Sequence, residues 1–93
     1  MALTIVKPEN IKDYVGKDLG TTEWFTVDQD RINKFADATD DHQFIHVDSE
    51  KATPIFGSTI AHGFLSLSLT AGIGADIALV IDGAKMGLNY GLD

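Results

Sequence analysis

The sequence predicts a small α+β domain built around one long apolar helix. Residues 60–80, IAHGFLSLSLTAGIGADIALV, are apolar on most sides of a helix, with Leu65, Leu69 and Ile73 four residues apart. A helix of this kind is buried on most sides, so other elements must surround it. The stretch Thr21–Val27, TTEWFTV, is rich in β-branched and aromatic residues, which is typical of a strand.

Local signals predict the earlier helices. A short helix is expected over Pro8–Val15, because proline suits a first helical turn and Gly16 can end the helix. Asp28 is a good N-cap for a second helix, whose apolar stripe begins at Ile32. That helix should end near Thr39, where the DDH sequence interrupts the apolar pattern.

The rest of the chain alternates turns and short elements. They are a loop over 40–48, a short helix (SEKA) capped by Ser49 before Pro54, turns at 56–58 and 82–83, and the start of a strand over Met86–Leu92. One clear strand and one incipient strand are too few to enclose a helix of roughly four or five turns. We therefore expect either a partner chain that supplies the missing sheet or a longer protein of which these residues are the front part.

Composition excludes several classes of protein. The chain has 93 residues and a net charge of -7, which argues against nucleic acid or an anionic membrane surface as a partner. The absence of cysteine excludes disulfides and thiolate metal sites. No signal peptide is recognisable, and His62, Asp76 and three glycines make 60–80 a poor membrane span. A cytoplasmic protein is expected.

The loop 40–48 contains a candidate acid/base pair. Asp41 and His46 are five residues apart, and Phe44 and Ile45 between them can anchor the loop in the core. Carboxylate and imidazole are the usual general acid/base groups near neutral pH. An exposed loop with solvated side chains accounts for the same residues equally well.

A metal site is a less favoured interpretation of this loop. Asp41, His42, His46 and Asp48 are all possible ligands. Their spacing matches none of the helix-borne metal motifs, in which two histidines lie one helical turn apart on one face. We therefore predict no bound metal in this loop.

The start of the apolar helix, Ala61-His62-Gly63, is the second candidate feature. Free backbone N–H groups at a helix start favour negative charge, and a glycine allows close approach of a ligand carbonyl. These are the requirements of an oxyanion hole, although a packing glycine at a helix start is the better explanation of Gly63 taken alone. Ser66 and Ser68 can each bond back to a carbonyl one turn earlier, or contact a ligand. Combined with the acid/base pair, these features suit chemistry on a thioester.

The segments FADATDDHQFIHVDSEKA and FGSTIAHGFLSLSL together resemble the signature of MaoC-like dehydratases, the (R)-specific enoyl-CoA hydratase family. The family motif runs aspartate, any residue, asparagine, proline, an aliphatic residue and histidine. Here it is matched by Asp41 and His46, while Gln43 replaces asparagine and Phe44 replaces proline. Asp40 also replaces the glycine that usually precedes the catalytic aspartate.

The resemblance implies a hot-dog fold, in which an antiparallel sheet wraps a long central helix and two copies associate. It implies that 1–93 is a single domain of this type without its C-terminal strands. It also implies a catalytic pair formed by Asp41 and His46, and a backbone donor at Gly63 for the thioester carbonyl. His62 and Ser68 are implied as neighbouring substrate-binding positions.

The implied reaction is (R)-specific, syn-type hydration of 2-enoyl thioesters and dehydration of 3-hydroxyacyl thioesters, and it needs no cofactor. The substrate would be an acyl-CoA or acyl-carrier-protein thioester, used by a homodimer or higher homo-oligomer in fatty acid metabolism. Which member of the catalytic pair is the base is left open. Two other functions are also open: a hot-dog acyl-CoA thioesterase, and a non-catalytic module for acyl-thioester binding or oligomerisation.

Overall fold

The computed structural model describes residues 3–92, apart from the side chain of residue 76. These residues form two compact units. One unit is made by the two ends of the chain, up to Thr22 and from Gly74 onward, and the other is the continuous segment Glu23–Ile73. The candidate site residues predicted from the sequence all lie in the continuous segment.

The first unit contains a small parallel sheet. Strand β1 (Thr4–Val6) pairs with strand β2 (Leu79–Ile81), with Thr4 opposite Leu79. The described residues therefore form a parallel sheet, and the antiparallel sheet predicted from the sequence is not observed in them. Parallel strands need a long crossover, and here most of the chain lies between the two strands, so no hairpin imposes an antiparallel pairing.

Two further predictions for the first unit had different outcomes. The helix expected at the N-terminus is present as a 3₁₀ helix over Pro8–Tyr14, and Gly16 follows it with φ 80°. The strand expected at Met86–Leu92 was wrong, because the chain has no regular secondary structure over 86–92.

The strand predicted for Thr21–Val27 was also wrong, because these residues have no regular secondary structure. A strand exists only if a neighbouring strand accepts and donates its backbone hydrogen bonds. In residues 3–92 the sheet consists of β1 and β2 alone. Trp24 is fully exposed at 104%, so its side chain does not pack against a sheet or core as an aromatic strand residue does.

The second unit is helical. Helix α1 (Gln29–Thr39) begins as predicted at Asp28, whose side chain accepts a hydrogen bond from the N–H of Arg31 at 2.9 Å. It ends at Asp40, which adopts the left-handed conformation with φ 61°. The next helix, α2 (Phe44–Val47), is a single turn inside the predicted loop.

Helices α3 (Ser49–Phe56) and α4 (Gly63–Ile73) complete the unit. The cap of α3 is Asp48, not Ser49, and Pro54 lies inside the helix. Because proline has no N–H, this helix lacks the backbone hydrogen bond that residue 54 would otherwise donate to the carbonyl of Glu50.

The apolar segment 60–80 is divided among several elements. Helix α4 is followed by a 3₁₀ helix over Gly74–Ile77 and then by β2. Helix α4 buries Leu65, whereas Phe64 is 77% exposed, so burial on most sides is not observed in these residues. A uniformly apolar helix has no single face marked for burial. Within the described range, no helix has the length and apolar character needed to cross a bilayer.

Candidate functional site

Three polar side chains meet in the second unit: Asp41, His46 and His62. Their carboxylate and ring-nitrogen atoms lie within 4.8 Å of one another. Asp41 follows Asp40 at the end of α1, His46 lies in α2, and His62 directly precedes α4. The histidines are 7% and 3% exposed, and the aspartate is half-buried. We refer to these three residues as the Asp-His-His cluster.

The ring of His46 is held by the backbone. Its Nδ1–H donates to the carbonyl of Ile60 over 2.7 Å, because a carbonyl can only accept. The peptide of Ile60 is itself anchored, since its N–H donates to the carbonyl of Ile45 at 2.9 Å. The amide of Gln29 donates to the carbonyl of His46 at 2.8 Å. This arrangement leaves Nε2 of His46 as the ring nitrogen that is not bonded to the backbone.

The ring of His62 connects the other two members of the cluster. Its Nε2–H donates to the backbone carbonyl of Asp41 at 3.0 Å. Its face stacks on His46, with the centroids 3.8 Å apart and the planes inclined by 21°. The ring of Phe35 packs on His62 at 4.9 Å. The Nδ1 atom of His62 is buried and has no hydrogen-bond partner among the described residues.

The carboxylate of Asp41 is held only weakly by neighbouring residues. Its Oδ1 accepts a long hydrogen bond of 3.4 Å from the N–H of Gln43, and the side chain is half-buried. The carboxylate therefore remains available to a ligand beside the two imidazoles. A carboxylate next to an imidazole can bind a water molecule between them and move protons to and from it.

A metal ion does not fit this cluster well. An ion lies in the plane of each imidazole that binds it, so two imidazoles on one tetrahedral ion have centroids about 5 Å apart. The stacked rings of His46 and His62 have centroids 3.8 Å apart and nearly parallel planes. His42 and Asp48, the other ligands considered from the sequence, are outside the cluster. Acid/base chemistry suits the geometry of Asp41 and His46 better.

His42 is instead an exposed residue paired with α1. Its Nε2 lies 2.9 Å from Oδ1 of Asp37. This hydrogen bond raises the pKa of His42 above its ordinary value of 6.5, with smaller contributions from the charges of Asp37, Asp40 and Asp41. The folded state therefore favours the protonated ring. The resulting stabilisation is present below pH 6.5 and is lost as the pH rises through the raised pKa.

The pKa of His42 should fall when its hydrogen-bond partner Asp37 loses its negative charge. We expect Asp37→Asn to move its titration midpoint, followed by NMR of the ring protons, to lower pH. Asp30→Asn is the matched control, because Asp30 is an exposed aspartate at the other end of α1 that pairs with Lys34 at 3.0 Å. An unchanged midpoint in Asp37→Asn would contradict the assignment.

The structure places Gly63 and Ser68 on α4. Gly63 is its first residue, so its N–H is one of those without a partner inside the helix. A Cβ added at Gly63 would meet no atom within 4 Å, so packing does not require glycine there and space for a ligand exists. The hydroxyl of Ser68 donates to the carbonyl of Phe64 at 2.7 Å. Its role in substrate binding stays a prediction.

A surface depression of about 420 Å³ lies along α1. Its lining residues are Thr26, Asp28, Asp30, Arg31, Lys34, Phe35 and Leu65. Phe35 also contacts the ring of His62, so one side chain is shared by the depression and the Asp-His-His cluster. The lining carries charges of both signs, which gives the depression no preference for an anionic or a cationic ligand.

Sequence reasoning missed the residues that support the cluster. Ile60 supplies the carbonyl that orients His46, and Gln29 supports the backbone of His46. Both contacts join residues more than ten positions apart, and no local pattern marks them. Buried imidazoles need hydrogen-bond partners, but the burial of His46 and His62 is itself not visible in the sequence.

The chain is similar to one known protein family and to several curated proteins. The profile of the family described as MaoC like domain matches residues 10–88. Nodulation protein N of Rhizobium leguminosarum bv. viciae is 52% identical over 86 residues, which cover 90% of this chain and 53% of that protein. The same-named protein of Rhizobium meliloti (strain 1021) is 48% identical over the same shares.

A third relative has a name that states a reaction. The 3-hydroxyacyl-thioester dehydratase Z of Mycobacterium tuberculosis is 46% identical over 79 residues, covering 84% of this chain and 52% of that protein. The chain spans about half the length of the curated relatives it matches. The family implies a hot-dog fold, and the helices and two-stranded parallel sheet described above are consistent with a part of one. The chain belongs to the MaoC-like dehydratase domain family.

Proposed function

We propose that the chain carries the acid/base site of a hydro-lyase acting on acyl thioesters. The reaction is the (R)-specific hydration of a 2-enoyl thioester to a 3-hydroxyacyl thioester, and its reverse. The observation that carries the proposal is the meeting of the Asp41 carboxylate and the His46 imidazole beside the start of α4. A relative named for 3-hydroxyacyl-thioester dehydration supports the substrate class.

In the hydration direction, Asp41 and His46 hold one water molecule between them. One of the two groups takes a proton from the water as its oxygen bonds to C3. The C2=C3 π bond breaks, and its electrons move toward the thioester carbonyl. The other group, protonated at the start, delivers its proton to C2, so the elements of one water are added overall. A proton then passes from the first group to the second and restores both for the next turnover. Dehydration runs through the same steps in reverse.

Negative charge develops on the thioester oxygen during this reaction. The N–H of Gly63 is proposed to donate to that oxygen, because it is free of intrahelical bonding at the start of α4. The open space at Gly63 leaves room for the carbonyl. The carrier is coenzyme A or an acyl carrier protein. The working form is proposed to be a homodimer or a higher homo-oligomer.

The test uses the 93-residue chain and crotonyl-CoA. We expect the ultraviolet absorbance of the enoyl thioester to fall when the protein is added, with no release of free thiol. The thiol is measured in parallel with a colour reagent. Release of thiol would identify a thioesterase instead. Binding of the thioester without either change would identify a non-catalytic binding module.

A further inference from the structure

We propose that His62 is a positioning residue that holds Asp41 and His46 in their working geometry, and this proposal rests on the proposed function. The sequence predicted a substrate-binding role for His62. The structure shows two contacts from one ring, a hydrogen bond to the backbone of Asp41 at 3.0 Å and a stack on His46 at 3.8 Å. Both contacts lead to the acid/base pair.

The hydrogen bond matters because the backbone at Asp41 has little other support. Asp41 lies between α1 and α2, outside either helix, directly after the left-handed residue Asp40. The direction of its carboxylate depends on how that peptide is held. The Nε2–H of His62 holds it from a position 21 residues further along the chain.

The stack controls the second member of the pair. The bond from Nδ1 of His46 to the carbonyl of Ile60 fixes one edge of the ring. A single hydrogen bond still allows the ring to tilt, and the face of His62 limits that tilt at 3.8 Å. Ile60 and His62 are two residues apart, so the short segment 60–62 holds both the edge and the face of the His46 ring.

The hydrogen bonds also define where the ring protons lie. Since both acceptors are carbonyls, the proton is on Nδ1 in His46 and on Nε2 in His62. Because the Nε2–H of His62 is hydrogen-bonded to the backbone carbonyl of Asp41, it does not act on the substrate. His62 is 3% exposed, which fits a role inside the protein behind the reacting groups.

Kinetics of three variants test the proposal. His62→Gln keeps an amide N–H near the position of Nε2, whereas His62→Phe keeps the stacking ring and loses the donor. We expect kcat to fall by about 10- to 100-fold in His62→Phe and clearly less in His62→Gln, with KM for crotonyl-CoA unchanged in both. His42→Phe is the matched control on an exposed histidine and should keep full activity. Helical circular dichroism checks that each variant is folded.

Two kinetic results would overturn the proposal. A raised KM with an unchanged kcat would give His62 a substrate-binding role. An equal loss of kcat in His62→Gln and His62→Phe would show that the hydrogen bond to Asp41 does not contribute.

A measurement without substrate separates this proposal from the proposed function. Long-range ¹H–¹⁵N correlation spectra of the wild-type imidazoles should show the proton on Nε2 of His62 and on Nδ1 of His46. They should also show that the signals of the His46 ring shift in His62→Leu, which removes the stack, and not in His42→Leu. Failure of these results overturns the positioning role even in an active protein. If they hold while crotonyl-CoA is not hydrated, the proposed function alone fails.

Discussion

Asparagine in place of Asp41, or glutamine in place of His46, should reduce kcat for hydration of crotonyl-CoA by at least about 100-fold. Each change removes a group that takes or gives a proton and keeps a polar side chain of similar size. Asp41→Asn retains an oxygen that can accept from the N–H of Gln43, and it retains the carbonyl that accepts from His62. The loss is measured by enoyl absorbance, with circular dichroism as the check on folding.

Neighbouring residues of the same types provide the controls. Asp40→Asn removes a carboxylate directly beside Asp41, and asparagine tolerates the left-handed conformation, φ 61°, that this position requires. His42→Gln removes an exposed imidazole that lies outside the cluster. Both controls should retain activity. If Asp41→Asn and His46→Gln remained as active as their controls, the acid/base assignment would be wrong.

Truncation of Ile32 should produce a large loss of stability. Ile32 lies on α1 and is 5% exposed. Removing its buried methyl and methylene groups in Ile32→Ala leaves a cavity and should lower the free energy of unfolding by about 2–4 kcal/mol. A chain of this size has a small core, so such a loss is a large part of its total stability. Chemical denaturation followed by helical circular dichroism measures the change.

Ile55 is the matched control for this prediction. It lies on α3 and is 62% exposed, so Ile55→Ala deletes the same atoms from a helix surface. We expect a change within about 0.5 kcal/mol. Both substitutions change helix propensity in the same way, so the difference between them reports burial. Equal losses at the two positions would contradict the core described above.

Local signals predicted the helices well and the sheet poorly. The cap at Asp28 and the end of α1 near Thr39 were confirmed, because both depend on residues adjacent in the chain. The strands depend on partners far away, so β1 was not predicted and TTEWFTV was assigned a sheet it does not join. Leu79 and Val80, which belong to β2, were taken as the end of the long helix, since a short apolar run has no period that separates helix from strand.

For the candidate site, too, the sequence indicated individual residues but not the contacts between residues far apart in the chain. The sequence named Asp41, His46 and His62 individually, and the structure places them in one cluster. It placed His62 beside Gly63 at the start of the apolar helix, and the family resemblance implied a substrate-binding position there. The hydrogen bond from His62 to Asp41 spans 21 residues, and the stack on His46 depends on the path of the chain before α4. Neither contact has a local sequence signature.

The parallel pairing of Thr4 with Leu79 has a consequence for the order of folding. Closing the loop between the two strands costs roughly 4 kcal/mol of chain entropy. The hydrogen bonds between two strands of three residues each offset only a small part of this cost. The helical segment Glu23–Ile73 is continuous and closes only shorter loops. We therefore expect the Asp-His-His cluster to assemble before the two ends of the chain meet, and to persist when the ends separate.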